Sequence, residues 1–166
     1  MKKIFCLILF IGALIGSSMA QPRAIGGRIG YNLEFSYQHH FASRNMVDLS
    51  VGATNIWNRW AYAEANCMFD WVFNIHNGWN WYVGPGFGLG LGYGRNWRDF
   101  GYVPFRLNLG GQLGIEYQFR IPLNLSLDWR PMVNVVGINH RGENVPNYNP
   151  LYDGIYSFAI GVRYRF

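Results

Sequence analysis

Apolar and polar residues alternate one by one along most of this chain after its first twenty residues. In residues 84–94 every even position is glycine, and every odd position carries Pro, Phe, Leu or Tyr. A period of two is typical of a β-strand, because successive side chains point to opposite faces of a sheet. The same spacing excludes the dinucleotide-binding fingerprint, which needs glycines at i, i+2 and i+5, and no Gly-Lys-Ser/Thr follows that would indicate a P-loop.

Seven stretches with this alternation are predicted strands: 25–37, 46–54, 61–73, 79–94, 105–119, 123–135 and 156–166. Short connections are expected at 38–45, 55–59, 74–78 and 120–122, and longer ones at 95–104 and 136–155. Residues after the first twenty show no helical period, repeat or linker, so the pattern predicts a single all-β domain.

The two faces of these strands differ in size, and the difference predicts which face lies inside. A soluble barrel packs its apolar face inward, whereas an outer-membrane barrel turns that face to lipid and fills its lumen with the polar face. A small barrel has room inside only for modest side chains. The apolar faces are rich in Phe, Tyr, Trp and Leu, and the polar faces in Gly, Ser, Asn and Gln. We therefore expect an up-and-down antiparallel transmembrane β-barrel.

Charged residues on the polar faces are expected to pair across the lumen. Ten of them make up this predicted charge network: Arg28, Glu34, Asp48, Glu64, Asp70, Arg106, Glu116, Asp128, Arg130 and Arg163. Arginine suits such pairing because its planar fork can donate two hydrogen bonds to one carboxylate. The glycines of 84–94 are expected to leave room for large inward groups such as Tyr62, Met68 and Arg130.

Residues 1–20 have the features of a secretory signal peptide. Two lysines precede an apolar run over 4–15, and the segment ends on Ser-Met-Ala, which supplies small residues before a cut at Gln21. The apolar run is shorter than the ~20 residues that a spanning helix needs. We therefore expect residues 21–166 to form the exported barrel.

The charge and cysteine content narrow the class of protein further. Residues 21–166 hold twelve arginines, no lysine and nine acids, a net charge of +3. These charges are scattered singly and export is expected, so nucleic acid is not a predicted partner. Cys67 is the only cysteine after residue 20, so an internal disulfide is excluded.

Three segments resemble small outer-membrane β-barrels of the OmpA/OmpX type in Gram-negative bacteria: IGGRIGYNLEFSYQH (25–39), GIEYQFRIPLNLSLDWRP (114–131) and GIYSFAIGVRYRF (154–166). The resemblance implies a monomer in the cell outer membrane. It also implies that Tyr164 and Phe166, in the final strand, form the signal read by the outer-membrane assembly machinery. Members of this family have even strand numbers, so eight strands are expected where the alternation reveals seven.

Evidence for catalysis is slight. An esterase is suggested by a candidate Ser/His/acid set: His39 and His40 with Ser43 and Glu34. Adjacent residues of a strand point to opposite faces, however, so only one of the two histidines could act as the base. A role as ordinary turn residues accounts for them equally well. No spacing resembles a metal site, and no cofactor is predicted. The chain is expected not to be an enzyme.

The expected role is structural, envelope-stabilising or surface-interacting, and two other functions stay open: a narrow channel and a lipid-modifying enzyme. Arginine binds phosphate well. Lipopolysaccharide is therefore a candidate partner for the predicted outer loops, which contain Arg59, Arg95, Arg98 and Arg141. Trp57, Trp79, Trp81 and Trp97 are expected in interfacial aromatic girdles.

Overall fold

The computed structural model describes residues 22–54, 61–93, 105–138 and 155–166, and these residues contain strands and turns but no helix. No helix that could cross a membrane is found among them. The strands are β1 (Arg23–Gly30), β2 (Leu33–His40), β3 (Asn45–Thr54), β4 (Tyr62–His76), β5 (Trp79–Gly92), β6 (Phe105–Gln118), β7 (Leu123–Trp129), β8 (Met132–Ile138) and β9 (Phe158–Arg165).

The strands form one antiparallel sheet that closes on itself. Its order is β5-β4-β3-β2-β1-β9-β7-β6, and a further β5–β6 pairing completes the ring. β8 is an additional strand that pairs with the first half of β6, while β7 pairs with the second half. The predicted fold class is confirmed as an all-β, antiparallel closed barrel of eight strands with one extra strand.

The eighth strand comes from the N-terminal segment, where one strand over 25–37 was predicted. This segment is a hairpin of β1 and β2, and Arg28 pairs with Glu34 across it. Its turn is centred on Tyr31, so odd residues pair with odd residues and even with even. The alternation of apolar and polar residues therefore continues through the turn, with odd residues outward on both strands. In the sequence, the hairpin has the same pattern as one long strand.

The predicted strand over 123–135 is also wrong as a single element. The strand is divided at Arg130-Pro131, and β7 and β8 lie on either side. Proline has no N–H to donate to a ladder, so it interrupts a strand. The other backbone groups there keep their neighbours: the Arg130 N–H donates to the Ser157 carbonyl at 3.0 Å, and the Pro131 carbonyl accepts from the Gly111 N–H at 3.1 Å.

One end of the barrel carries tight turns at 41–44, 77–78 and 119–122 together with the pairing of Arg23 and Phe166. We call it the short-turn end. Asn77 and Gly78 have φ values of 49° and 87°, as a two-residue type I′ hairpin requires. The opposite end carries the β1–β2 turn and strand ends such as Thr54, Tyr62 and Gly92.

Polar side chains are buried and apolar side chains are exposed along every strand. Among outward positions of the nine strands, Arg23 at the first residue of β1 carries the sole charge. Phe35 and Leu127 on the outer surface are 53% and 54% exposed. This distribution is the reverse of a soluble core, in which charged residues are rarely buried.

The glycines of β5 make room for side chains of neighbouring strands, though not for all those expected. A Cβ at Gly86 would lie 2.0 Å from the Met68 sulfur, and one at Gly88 or Gly90 would meet Asn66 or Arg106. Met68 is thus as predicted, whereas neither Tyr62 nor Arg130 is among the nearest groups at these glycines.

Candidate functional site: a ring of charges in the barrel lumen

Six of the ten predicted network residues form a closed ring of alternating charge inside the barrel. The ring runs in the order Arg28, Glu34, Arg130, Asp48, Arg163 and Asp128, and returns to Arg28. These side chains are 0–1% exposed. Three arginines and three acids balance, so this charge ring carries no net charge.

Arg28 and Glu34 owe their contact to the N-terminal hairpin. They are direct partners in the β1–β2 register, and both side chains point inward. The Arg28 guanidinium donates to Glu34 and, through Nε, to Asp128 Oδ2 on β7 at 2.9 Å. This arginine therefore links the N-terminal hairpin to a strand that lies a hundred residues later in the sequence.

Arg130 reaches across the lumen from the break between β7 and β8. Its Nη1 donates to Glu34 Oε2 at 3.1 Å and to Ser50 Oγ at 2.8 Å, on β2 and β3. Its Nε donates to Gln112 Oε1 on β6 at 2.8 Å, and its Nη2 lies 3.5 Å from Asp48. One side chain thus connects opposite parts of the barrel wall.

Arg163 on β9 completes the ring. Its Nη2 lies 3.2 Å from Asp48 Oδ2 and 3.6 Å from Asp128 Oδ2. Nε and Nη1 donate to Ser36 Oγ at 2.9 Å and Ser126 Oγ at 2.7 Å. A Cβ at the neighbouring Gly161 would lie 2.8 Å from Arg163 Nη1, so that glycine leaves space for the guanidinium.

The energetics of such a ring depend on its completeness. Removing two opposite charges from water costs several kcal/mol per ion, and their attraction offsets this cost only with good geometry and additional hydrogen bonds. Asp48 meets that condition, since it also accepts from Ser36 Oγ at 3.0 Å and Gln38 Nε2 at 3.2 Å. Loss of one member would leave a buried charge with too few partners.

Arg106 and Glu64, two of the other four predicted residues, form a separate ion pair. Arg106 Nη2 lies 3.1 Å from Glu64 Oε1 and donates to Thr54 Oγ1 at 2.8 Å. Its guanidinium carbon lies 3.7 Å from the centroid of the Tyr62 ring, in a cation–π contact. This pair is 6–9% exposed, so it is less enclosed than the ring.

The remaining two acids have no arginine partner in the part of the chain that the structure describes. Glu116 is 1% exposed and accepts hydrogen bonds from the amides of Asn80, Gln118 and Asn124. Asp70 is fully buried, and neither of its oxygens has a hydrogen-bond partner among the described residues. The four lumenal arginines therefore face six acids.

The sequence analysis did not identify the neutral groups that complete the hydrogen bonding of the ring. Ser36, Ser50, Gln112 and Ser126 each bind a ring arginine. All four lie at even positions of the alternating pattern and are buried. Their even positions in the sequence indicated that these side chains point inward. The pattern does not distinguish a partner of the ring from any other inward polar residue.

The remaining candidate residues lie elsewhere. Tyr164 and Phe166 are on the outer surface, 54% and 50% exposed. His39 stacks on Tyr37 outside the barrel with ring centroids 6.4 Å apart, whereas Glu34 belongs to the charge ring, so the suggested esterase set is not assembled. Four loop arginines and two tryptophans lie outside the described residues: Arg59, Arg95, Arg98, Arg141, Trp57 and Trp97.

Within the described ranges, no group of three or more His, Cys, Asp or Glu residues could hold a metal ion. Comparisons with protein-family models, with curated proteins and with solved structures find no match to this chain. The resemblance to OmpA/OmpX barrels thus stays a prediction.

Proposed function

We propose that this protein is a small outer-membrane β-barrel with a structural or surface-interaction role, and that its lumen is filled by the charge ring and the polar side chains around it. The observation that carries the proposal is the distribution of charge. Six acids and four arginines are buried in the interior, while the outward positions of the strands are mostly apolar and carry no charge except at Arg23, at the end of β1. Lipid is the solvent that suits such an exterior.

Strand length supports the same proposal. β5 has 14 residues. At about 3.3 Å per residue and a tilt of about 40°, it spans roughly 35 Å along the barrel axis. An outer-membrane barrel needs an apolar band of about 25 Å. The barrel is therefore tall enough to cross a membrane with its turns in water.

Cys67 permits a direct test, because it lies on the outward face of β4 between Leu49 and Phe87. A polarity-sensitive fluorophore on Cys67 should be quenched by vesicle lipids that carry a quencher in their acyl chains. The control places the label in the exposed 41–44 turn, as Ser43→Cys in a Cys67→Ser background, where a water-soluble quencher should act instead. Equal access of the water-soluble quencher to both labels would disprove insertion.

A narrow channel is the competing function for the same barrel. The charge ring supports a closed lumen, since its members are shielded from solvent and bonded across the interior. The protein in a planar bilayer is expected to show no steady conductance. Steady, ion-selective conductance would favour the channel over the closed barrel.

The proposed assembly signal has its own test. Tyr164 lies on β9 and Phe166 directly follows it, and both side chains are exposed. Phe166 is joined to β1 by two backbone hydrogen bonds with Arg23 at the rim, and neither side chain reaches the interior. Deleting Phe166 should lower the amount of protein that reaches the outer membrane in cells, while refolding in vitro changes little. Equal surface levels with and without Phe166 would count against the signal. Lipopolysaccharide as a partner of the outer loops stays a proposal of the same kind.

A further inference from the structure

The charged side chains outside the lumenal network of the described barrel are all positive, and all lie at one end of the barrel. All six described acids are buried in the lumen. Four described arginines belong neither to the charge ring nor to the Arg106–Glu64 pair, and each lies at the short-turn end: Arg23, Arg44, Arg120 and Arg165. Arg44 and Arg120 are exposed, whereas Arg23 is 8% exposed, and Arg165, at an inward position of β9, donates to Gln118 Oε1 and to two backbone carbonyls at the rim. We call this group the basic arc.

The basic arc follows one side of the barrel rim. Arg44 precedes β3, Arg23 begins β1, Arg165 ends β9 and Arg120 precedes β7. The strands β3, β2, β1, β9 and β7 are consecutive in the sheet, so the four arginines follow one another around the rim. Arg44 and Arg120 are exposed and have no ion-pair or hydrogen-bond partner among the described side chains.

The rest of the same rim is covered by aromatic rings in contact with one another. Phe41 lies against Phe69 at 5.4 Å between centroids, and Phe69 against Trp71 at 5.9 Å. Further along, Trp79 meets Tyr117 at 4.9 Å, and Tyr117 meets Phe119 at 4.8 Å. Both ends of this series adjoin the arc, because Phe41 shares a turn with Arg44 and Phe119 precedes Arg120.

Aromatic belts mark the depth of lipid headgroups, where an amphipathic ring has one side in hydrocarbon and one in water. Guanidinium groups beside such a belt lie at the level of the phosphates. Arginine binds phosphate with a planar fork of donors, and no exposed acidic side chain competes for it among the described residues. We propose that the basic arc binds the phosphate groups of anionic phospholipids in the leaflet at the short-turn end.

This inference rests on the proposed membrane insertion, so its test must report insertion separately. The protein is reconstituted in symmetric phosphatidylcholine vesicles that contain spin-labelled phosphatidylglycerol or spin-labelled phosphatidylcholine. Electron paramagnetic resonance then gives the relative association constant of the two lipids for the barrel surface. Because both leaflets have one composition, the direction of insertion does not affect the result. The lipid quenching of labelled Cys67 reports insertion in a parallel sample.

Wild-type protein should prefer phosphatidylglycerol by about threefold or more, since each arginine near an anionic membrane surface adds electrostatic attraction. The double variant Arg44→Gln/Arg120→Gln should lose most of that preference. The matched variant Arg44→Lys/Arg120→Lys should keep most of it. High salt should weaken the preference through screening, whereas inorganic phosphate at equal ionic strength should add no further loss if the site is built for lipid.

An unchanged preference in the Gln variant would overturn the inference, because the attraction would then come from other arginines. Preferential displacement by inorganic phosphate would overturn it too, in favour of a site for free anions. Neither result would affect the proposed function as long as Cys67 remains quenched by acyl chains. Loss of that quenching in the wild type would instead disprove insertion itself.

Discussion

The two walls of the barrel fill the same lumen by different means. One wall, which we call the ring wall, consists of β1, β2, β3, β7 and β9 and supplies the charge ring, in which each acid and arginine has several partners. The other, the glycine wall of β4, β5 and β6, carries the Arg106–Glu64 pair and also fills space by packing large side chains over glycines: Met68 lies over Gly86, and the Tyr82 ring lies over Gly114.

Buried polar atoms without a partner among the described residues occur on both walls, but two aspartates differ sharply. Neither oxygen of Asp70 on the glycine wall has a partner there, and the Tyr82 hydroxyl on the same wall has none either. Asp48 on the ring wall, by contrast, has two arginines and two neutral donors. We infer that the ring wall depends on its charges at Asp48, whereas the glycine wall depends on packing at Asp70, Tyr82 and Gly114. Substitutions of one type should therefore have opposite effects on the two walls.

The largest effect is expected from Arg130→Met, which breaks the ring. Arg130 contacts Glu34 and Asp48, and removing one partner of a buried ion pair leaves the other uncompensated at a cost of about 3–5 kcal/mol. The free energy of unfolding, measured by urea denaturation in detergent micelles, should fall by that order. Arg44→Met on the exposed rim is the control and should change it by less than about 0.5 kcal/mol. A small loss for Arg130→Met would mean that the ring is not a structural element.

A matched pair of substitutions compares the walls directly. Asp48→Asn removes a charge that two arginines contact, and it should destabilise the barrel by about 3 kcal/mol. Asp70→Asn makes the same change where no partner exists, so it should be neutral or stabilising, because a neutral amide costs less to bury than an unpaired charge. Both variants are measured in the same urea titration. Equal losses in the two variants would contradict the distinction between the walls.

The sequence predicted inward and outward sides but not partners, and Asp48 and Asp70 show why. Both are acids at even positions with apolar residues on either side, so alternation treats them alike. What separates them is register. The β7–β9 and β1–β9 pairings bring Arg163 and Asp128 to the side of Asp48, and these strands lie far apart in the chain. Alternation contains no information about pairing at such distances.

The N-terminal hairpin was hidden for a different reason. A turn that joins odd residues to odd residues preserves the phase of the pattern, so a hairpin and a long strand have the same alternation. Length gave no indication, since β4, β5 and β6 are single strands of 14–15 residues. The available signal was the turn-forming Gly30 and Asn32 on either side of Tyr31. The break at Arg130-Pro131 had a clear local signal in the proline, and the alternation was extended through it.

A smaller effect is expected from adding one methyl group to the glycine wall. A Cβ at Gly114 would lie 2.3 Å from the Tyr82 ring, closer than atoms can approach, so Gly114→Ala must displace the ring. Overpacking of this kind costs about 1–3 kcal/mol. Gly27→Ala on the outer surface is the control, because its Cβ would have a single neighbour at 3.7 Å. If both substitutions leave the urea midpoint unchanged, the glycines are not spaced to receive side chains.

The smallest effect is expected at the Tyr82 hydroxyl itself. This side chain is fully buried, and its oxygen has no hydrogen-bond partner among the described residues. Tyr82→Phe keeps the aromatic ring against Gly114 and removes the unpaired polar atom, so the free energy of unfolding should stay equal or rise by up to about 1 kcal/mol.

Ser36→Ala on the ring wall also removes one hydroxyl, but this hydroxyl accepts from Arg163 and donates to Asp48. Ser36→Ala should therefore destabilise the barrel by about 1–3 kcal/mol, since it leaves charged groups without a partner. A loss in Tyr82→Phe as large as that in Ser36→Ala would show that the Tyr82 hydroxyl is bonded, and that polar bonding specifies both walls.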